Sequence, residues 1–354
     1  MIKQMHAFED EGDTGDYWAY YAPYNNQIIS SRGFNSRIWM EDNGPLSATI
    51  SIETIMQIPA RAEYANVKIQ GYGKRSAELV DMKIISRITL TKGSRQLNVK
   101  TSINNKSKDH RVRVMIPTDI TSDFSDAAGH FTVDRRGIVH EVDAQGKHFP
   151  EMALRPMATF CSVNDGTNGV SVLNNCLTEF QLIDDDRHTL ALTLLRSIRN
   201  RICTESRVSS EFPDKLGSQM LQTVDYEYAI YPHKGDWVDG QVYAEADKIN
   251  AKPAAVQISM NKGGDLPISI SHYSIDNEAV VMTAFKKSED RDSVILRLHN
   301  PTEASQAVTI KCGLPVTQAW LNNLNEVRGE AVDFKNGALT LNVAKGKIIT
   351  IELQ

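Results

Sequence analysis

Apolar residues recur at every second position over much of this chain. Leu46, Ala48, Ile50 and Ile52 alternate with Ser47, Thr49, Ser51 and Glu53. Leu97, Val99, Thr101 and Ile103 alternate with Asn98, Lys100 and Ser102, and Val112, Val114 and Ile116 with Arg111 and Arg113. A period of two sends alternate side chains to opposite faces of a pleated strand, so each segment is expected to be half-buried sheet. Lys92-Gly93-Ser94, Asn104-Asn105-Lys106 and Asp165-Gly166-Thr167-Asn168-Gly169 supply turns between them. From Asn168 to Ser197, two apolar strands bracket an acidic turn, Asp184-Asp185-Asp186, and end on Arg196. No amphipathic helix longer than a few turns stands out, and Gln241 to Ala251 is polar and poorly periodic. Many antiparallel strands joined by short turns predict an all-β fold of stacked sheets.

A domain boundary is expected near Lys252-Pro253. Beyond it, Ile268 and Ile270, then Val294, Leu296 and Leu298, then Val308, Ile310 and Cys312 alternate, followed by Leu339, Leu341 and Val343 and by Ile349, Ile351 and Leu353. Residues 253–354 would form a small sandwich of ordinary domain size, and residues 1–252 one large antiparallel sandwich. A net charge of −5 gives no reason to expect nucleic acid. No run approaches the roughly 18 apolar residues of a membrane span. The opening MIKQMHAFEDEGD turns acidic before any apolar core, which is not a secretory signal. Cys161, Cys176, Cys203 and Cys312 form no Cys-x-x-Cys pair and suit buried thiols in a reducing, cytoplasmic setting.

Several segments, taken in order, resemble the C-terminal β-sandwich region of the glycoside hydrolase family 38 α-mannosidases, of the bacterial α-mannosidase or mannosylglycerate hydrolase type. They are Phe8 to Asp16 with Tyr17 to Pro23, Phe131 to Arg136, Leu154-Arg155-Pro156, Leu190 to Ser197, Glu227-Tyr228-Ala229, Ile295 to Pro301, and Asn322 to Glu326. The resemblance implies a large β-supersandwich like that of galactose mutarotase, followed by a smaller C-terminal sandwich. It also implies a retaining glycosidase acting on terminal α-mannosides, with one carboxylate as nucleophile and a second as acid and base. The family's zinc belongs to an N-terminal α/β barrel, joined through a helical bundle. Neither is expected in this chain, so no cofactor is expected here. The partners implied are that barrel and bundle and a mannose-containing glycoside. Family members often assemble as homo-oligomers, but no residue in the sequence points to an interface.

Arg196 is the leading candidate for sugar contact. It follows Leu192, Leu194 and Leu195, so its charge must leave the sheet for solvent or enter a polar cleft. The resemblance places such an arginine near the sugar, and its planar fork of donors suits vicinal hydroxyls or an anion. Asp13 and Asp16 belong to an acidic loop whose spacing fails the usual calcium pattern. The bland reading is a solvated turn; the resemblance adds a loop that reaches toward the cleft. Tyr17 and Tyr20, with Trp18 and Tyr21, could stack on a pyranose or simply pack. Gln219, with Gln222, is either a hydroxyl contact or an exposed turn residue. Arg199, Arg201 and Arg207 form either a basic rim or a solvated hairpin. The nine histidines do not cluster, and Ser171 lacks the second glycine of a nucleophile elbow.

Two competing readings belong to other classes. A mutarotase-like epimerase would need a histidine acid and a carboxylate base within reach of one sugar; His130, His140 and Glu141 are the available set. A free-standing carbohydrate-binding module would need a face of exposed aromatics, whereas Trp18, Trp39, Trp237 and Trp320 are scattered.

Overall fold

The computed structural model describes residues 5–17, 20–63, 73–138, 153–202, 209–211, 216–259, 263–265, 267–313 and 315–354. Strands dominate, and they divide between two compact units. One comprises Met1–Ala127 with Arg135–Gly240, the other Ala128–Asp134 with Gln241–Gln354.

The larger unit stacks two antiparallel sheets. The six-stranded sheet contains β1 (Ala7–Gly12), β2 (Ile29–Ser30), β7 (His110–Pro117), β10 (Arg155–Pro156), β13 (Glu179–Leu182) and β14 (Thr189–Ser197), in the order β10-β13-β14-β7-β1-β2. The nine-stranded sheet contains β3 (Ser36–Asn43), β4 (Ser47–Pro59), β5 (Leu79–Thr91), β6 (Leu97–Asn104), β8 (Phe124–Gly129), β9 (Thr132–Gly137), β11 (Phe160–Asn164), β12 (Asn168–Asn174) and β15 (Thr223–Lys234). Its order is β9-β8-β11-β12-β15-β6-β5-β4-β3. The shared core is built from alternate residues of both: Met56, Ile58, Met82, Ile84, Val99 and Ile103 meet Phe8, Val112, Val114, Ile116, Leu190 and Leu192. Side chains of this size each gain about 1.5–3 kcal/mol on full burial, so the alternation carries the fold.

The smaller unit pairs a three-stranded sheet (Tyr273–Ile275, Gln306–Cys312, Ala338–Val343) with a five-stranded one (Val281–Lys287, Val294–His299, Ile348–Leu353, Ala319–Asn322, Arg328–Val332). Its separate core holds Leu296, Leu298, Val308, Ile310, Leu339, Val343, Ile351 and Leu353. These are alternating positions read from the sequence, but Ile268 and Ile270, expected among them, are exposed and lie outside any strand.

Four further expectations are corrected. Val242–Asn250 is an α-helix. Val242, Glu245, Ala246 and Ile249 are buried at helical spacing; the glutamate among them masked the pattern. At the start of β4 the apolar row is not covered: Leu46 and Ile50 are exposed, and burial becomes complete only at Met56 and Ile58. In β7 the polar row is buried as well as the apolar one, Arg111 and Arg113 included. Finally, Cys161 and Cys312 are buried thiols, but Cys176 is exposed.

Candidate functional site

The acidic loop begins where β1 leaves its sheet. A side chain at Gly12 would meet Pro23 Cγ at 2.5 Å, so only glycine lets the following chain turn under that ring. The Asp13 amide then donates to Asp109 O at 2.9 Å, and Thr14 N donates to Tyr21 O at 2.8 Å. Asp13 Oδ1 accepts from Gly15 N at 2.9 Å, which curls the loop on itself.

Arg196 lies at the end of β14. Register shifts between Thr193 and Leu195, and Arg196 falls opposite Arg111 of β7. Its Nε donates to Asp13 Oδ2 at 2.7 Å and its Nη2 to Asp16 O at 3.0 Å. The arginine is a clamp that holds the acidic loop on the end of the sheet. Asp13 has no exposed surface, and burial raises its pKa against the pull of Arg196.

The outer edge of this clamp borders a cleft of about 370 Å³, whose walls include Tyr17, Leu177, Glu179, Thr193, Arg196 and Tyr226. Tyr17 is 59% exposed, an aromatic face open to solvent. Thr193 Oγ1 donates to Glu179 Oε1 at 2.6 Å across the wall.

Below the cleft, the outer face of the six-stranded sheet carries a buried ionic lattice. Arg111 donates to Glu11 Oε1 from Nη2 at 2.6 Å and from Nε at 3.0 Å. The Tyr20 hydroxyl donates to Glu11 Oε2 at 2.6 Å, and the Arg111 guanidinium lies 3.5 Å from the centre of the Tyr20 ring. Arg113 lies 3.2 Å from Glu11 and donates to Gln181 Oε1 at 3.0 Å. Burial alone would raise the Glu11 carboxyl, but Arg111 and Arg113 outweigh it and hold its pKa at about 2. The same burial, with Glu11 beside it, raises the Tyr20 phenol. Tyr20 is therefore a donor to Glu11, with its ring covered by Arg111.

Gln219 is buried and doubly bonded to Asp109. Its Oε1 accepts from Asp109 N at 2.9 Å, and its Nε2 donates to Asp109 Oδ1 at 2.8 Å. Arg199 also engages the Asp109 carboxylate, through Nε at 3.0 Å and through Nη2. Because Asp109 O receives the Asp13 amide, Gln219, Arg199, Asp13 and Arg196 belong to one bonded assembly. Beside it, the His110 ring lies between Asp10 Oδ2 at 2.6 Å and Asn105 Oδ1 at 3.0 Å. Arg75 donates to the other oxygen of Asp10.

The six residues singled out in the sequence thus fall in one region. Arg196 and Tyr17 reach the cleft, while Asp13, Asp16, Tyr20 and Gln219 lie buried behind it. Sequence reasoning missed Glu11, Asp109, Glu179 and Thr193. Glu179 and Thr193 stand in alternating apolar strands, where a polar residue signals an outward face and nothing more. Arg199 is anchored rather than rim-like. Trp18, His140, Glu141, His148, Cys203 and Arg207 lie outside the described residues. Ser171 is buried mid-strand with its Oγ 2.9 Å from His233 Nε2, which is not the exposed tip of an elbow. His233 lines a second cleft of about 710 Å³ with Arg95, Tyr231 and Asp239, and none of the six residues reaches it. Among the described residues no three His, Cys, Asp or Glu side chains converge to hold a metal ion.

Residues 2–202 match the family described as Glycosyl hydrolases family 38 C-terminal domain, and residues 279–351 match Glycosyl hydrolases family 38 C-terminal beta sandwich domain. The chain is 24% identical over 361 residues to a protein of Halalkalibacterium halodurans named as a putative mannosylglycerate hydrolase, covering 99% of this chain and 38% of that protein. It superposes on an alpha-mannosidase from Enterococcus faecalis V583 with a TM-score of 0.84 at 21% identity, over 100% of this chain and 39% of that one. A family 38 glycosyl hydrolase from Enterococcus faecalis gives a TM-score of 0.82 at 21% identity, over 100% of this chain and 40% of that one. The chain therefore spans well under half the length of these relatives.

Proposed function

This chain belongs to the glycosyl hydrolase family 38 C-terminal domain family, and from that premise we propose that it is the non-catalytic sandwich portion of a retaining α-mannosidase. In this reading it completes the sugar cleft and docks the zinc-bearing barrel and helical bundle of the same enzyme. The observation that carries the reading is the Arg196 clamp. A bonded assembly of Asp13, Arg196, Asp109 and Gln219 fixes a polar lip beside an open aromatic ring, at one end of the larger sandwich. Such rigidity suits a surface that must meet a sugar from outside the bond-breaking machinery.

In this proposal Tyr17 stacks on a pyranose face and Arg196 presents its guanidinium to hydroxyls or to a carboxylate on the substrate. Asp13 and Asp16 aim the arginine, and Tyr20 and Gln219 fix the loop and strand end that carry it. An anionic glycoside is the substrate favoured by that charge, as the name of the Halalkalibacterium halodurans relative suggests. We place the division between the two sandwiches near residue 252, in keeping with cores that fall before and after it. No described helix is long and apolar enough to cross a membrane, and free Cys161 and Cys312 suit a reducing, cytoplasmic setting.

The test is turnover of a chromogenic α-mannoside with zinc analysis. This chain is assayed alone and then with a family 38 barrel and helical bundle added. The expected result is turnover only in the mixture. Arg196→Met should lower kcat/KM there by about 10–100-fold, the loss of one charge-assisted contact. Stoichiometric zinc and turnover from this chain alone would sink the proposal.

A further inference from the structure

We infer that the second cleft, at the other end of β15 from the first, is a binding site for an uncharged oligosaccharide. Its volume of about 710 Å³, against about 370 Å³ for the first cleft, leaves room for more than one sugar ring and falls within the roughly 300–1,000 Å³ of small-molecule sites. All its walls belong to the larger unit. They come from the β5–β6 turn, the segment after β7, the β11–β12 turn and the end of β15. Tyr226 of the first cleft and His233 of this one both stand on β15, about 20 Å apart along the strand. A ligand here leaves the first cleft free, and the inference does not rest on the function proposed above.

The cleft is built around one imidazole. A side chain at Gly169 would collide with His233 Cε1, and one at Gly240 would come within 2.5 Å of His233 Nδ1. Two glycines thus open the slot in which the ring lies, stacked on Tyr231 with ring centres 5.5 Å apart. Ser171 Oγ, 2.9 Å from Nε2, fixes its rotation. Tyr231 is held in turn: its hydroxyl donates to Gly240 O at 2.8 Å, and Arg95 lies over its ring at 5.4 Å. Burial lowers the His233 pKa, so at pH 7 the ring is neutral and offers a flat, uncharged wall.

The charges around that wall select the ligand. Arg95 and Lys234 share the cleft with Asp119, Asp165 and Asp239. Arg187 already holds Asp119, through Nε at 2.7 Å and Nη2 at 2.9 Å, and Asp165 accepts the amides of Thr167 and Asn168 at 2.8 Å. Lys234 Nζ donates to Asn168 Oδ1 at 2.7 Å, which leaves Asn168 Nδ2 as a donor. The Asp239 side chain is exposed, and among the described residues its carboxylate accepts no hydrogen bond. An anion would meet three carboxylates here, and a cation would meet Arg95 and Lys234. A hydroxyl both donates and accepts, so a ligand rich in hydroxyls can serve Asp239 and Asn168 Nδ2 together, where a ligand of one charge can serve only one of them.

Calorimetric titration of the full chain with mannotriose, maltotriose and cellotriose tests this, with inorganic phosphate and spermidine as charged controls. At least one trisaccharide should bind saturably at one site per chain, and neither control should. Asp239→Ala should weaken that binding at least about tenfold, the loss of a charge-assisted hydrogen bond. Because Asp239 is exposed, the unfolding temperature should hold and report intact folding. His233→Gln should weaken the same binding by a smaller factor. The inference is overturned if no trisaccharide binds, or if phosphate or spermidine binds in their place. It is also overturned by a trisaccharide whose affinity is indifferent to Asp239→Ala; a loss with Arg196→Met would then place that sugar in the first cleft.

Discussion

Each unit fastens its strands with a carboxylate held by two arginines, but in different surroundings. In the larger unit Glu11 and its partners Arg111 and Arg113 are all buried, with side chains only 4–7% exposed. In the smaller unit Glu352 is just as covered, accepting from Arg291, Arg328, Ser293 and Asn322 at 2.7–3.0 Å, yet its arginines are 30% and 32% exposed. Arg328 also lies over Trp320 at 3.7 Å from the ring centre. The second carboxylate thus meets charges that water still solvates. The first meets charges that depend on it. Losing Glu11 would strand two cations in a dry sheet face, whereas losing Glu352 would free its arginines to turn outward. The larger unit's lattice continues through Glu179 and Thr193 to the cleft wall, so its rigidity reaches the candidate site; the smaller unit's network ties Ser293, Asn322 and Arg328 of neighbouring strands.

The sharpest way to break this comparison is Glu11→Gln. It should destabilise the larger unit by about 3–5 kcal/mol, the usual cost of an uncompensated buried charge, read as a lower denaturant midpoint by circular dichroism. A loss as small as an exposed pair's would show that water reaches the lattice. Acid should act in the same direction. The folded pKa of Glu11, at about 2, is below its ordinary value of 4.5, so its contribution is complete above pH 4.5 and fades as pH falls toward 2.

Glu352→Gln should cost less, about 1–3 kcal/mol, chiefly from lost charge-assisted hydrogen bonds. Burial opposes ionisation of Glu352, but its hydrogen bonds from Arg328 and Arg291 dominate and hold its pKa down. Trp320 fluorescence reports this network directly, since Arg328 covers its ring. A penalty equal to that of Glu11→Gln would erase the distinction drawn from arginine exposure.

The smallest effect is assigned to a neutral group. His6 Nε2 lies 2.6 Å from the Tyr228 hydroxyl, which continues to Thr101 Oγ1 at 3.0 Å and Ser86 Oγ at a further 3.0 Å. Burial lowers the His6 pKa to about 4 from 6.5. The unfolded chain therefore binds a proton between pH 6.5 and 4 that the folded chain refuses, and stability falls as pH drops through that window. With partial solvent access discounted, the loss between pH 7 and 5.5 should be about 1 kcal/mol. His6→Gln should flatten that part of the pH–stability curve; an unchanged slope would show that His6 protonates freely.

Much of the fold was legible because period two is a local property. Val112, Val114 and Ile116, and Leu296 and Leu298, must point one way in any strand, and both rows are in cores. The helix Val242–Asn250 was hidden because Glu245 occupies an inward position. The candidate site was legible as a set of residues but not as an assembly. Arg196 could be seen to carry a charge out of an apolar strand, but not that Asp13, 183 positions earlier, would receive it. Gln219 looked like a turn residue because its partner, Asp109, is 110 positions away.

The sequence by itself determined most of the long strands, many of their inward rows and the family, since these rest on short-range pattern and ordered motifs. Only the tertiary structure decided which charges would be dry. Side-by-side pairing of β1 with β7, and of β7 with β14, turned Arg111, Arg113 and Arg196 from strand ornaments into a buried lattice and a clamp. The physical reason is distance: a charge's energy depends on partners and solvent within a few ångströms, and chain order does not specify those until the sheets close.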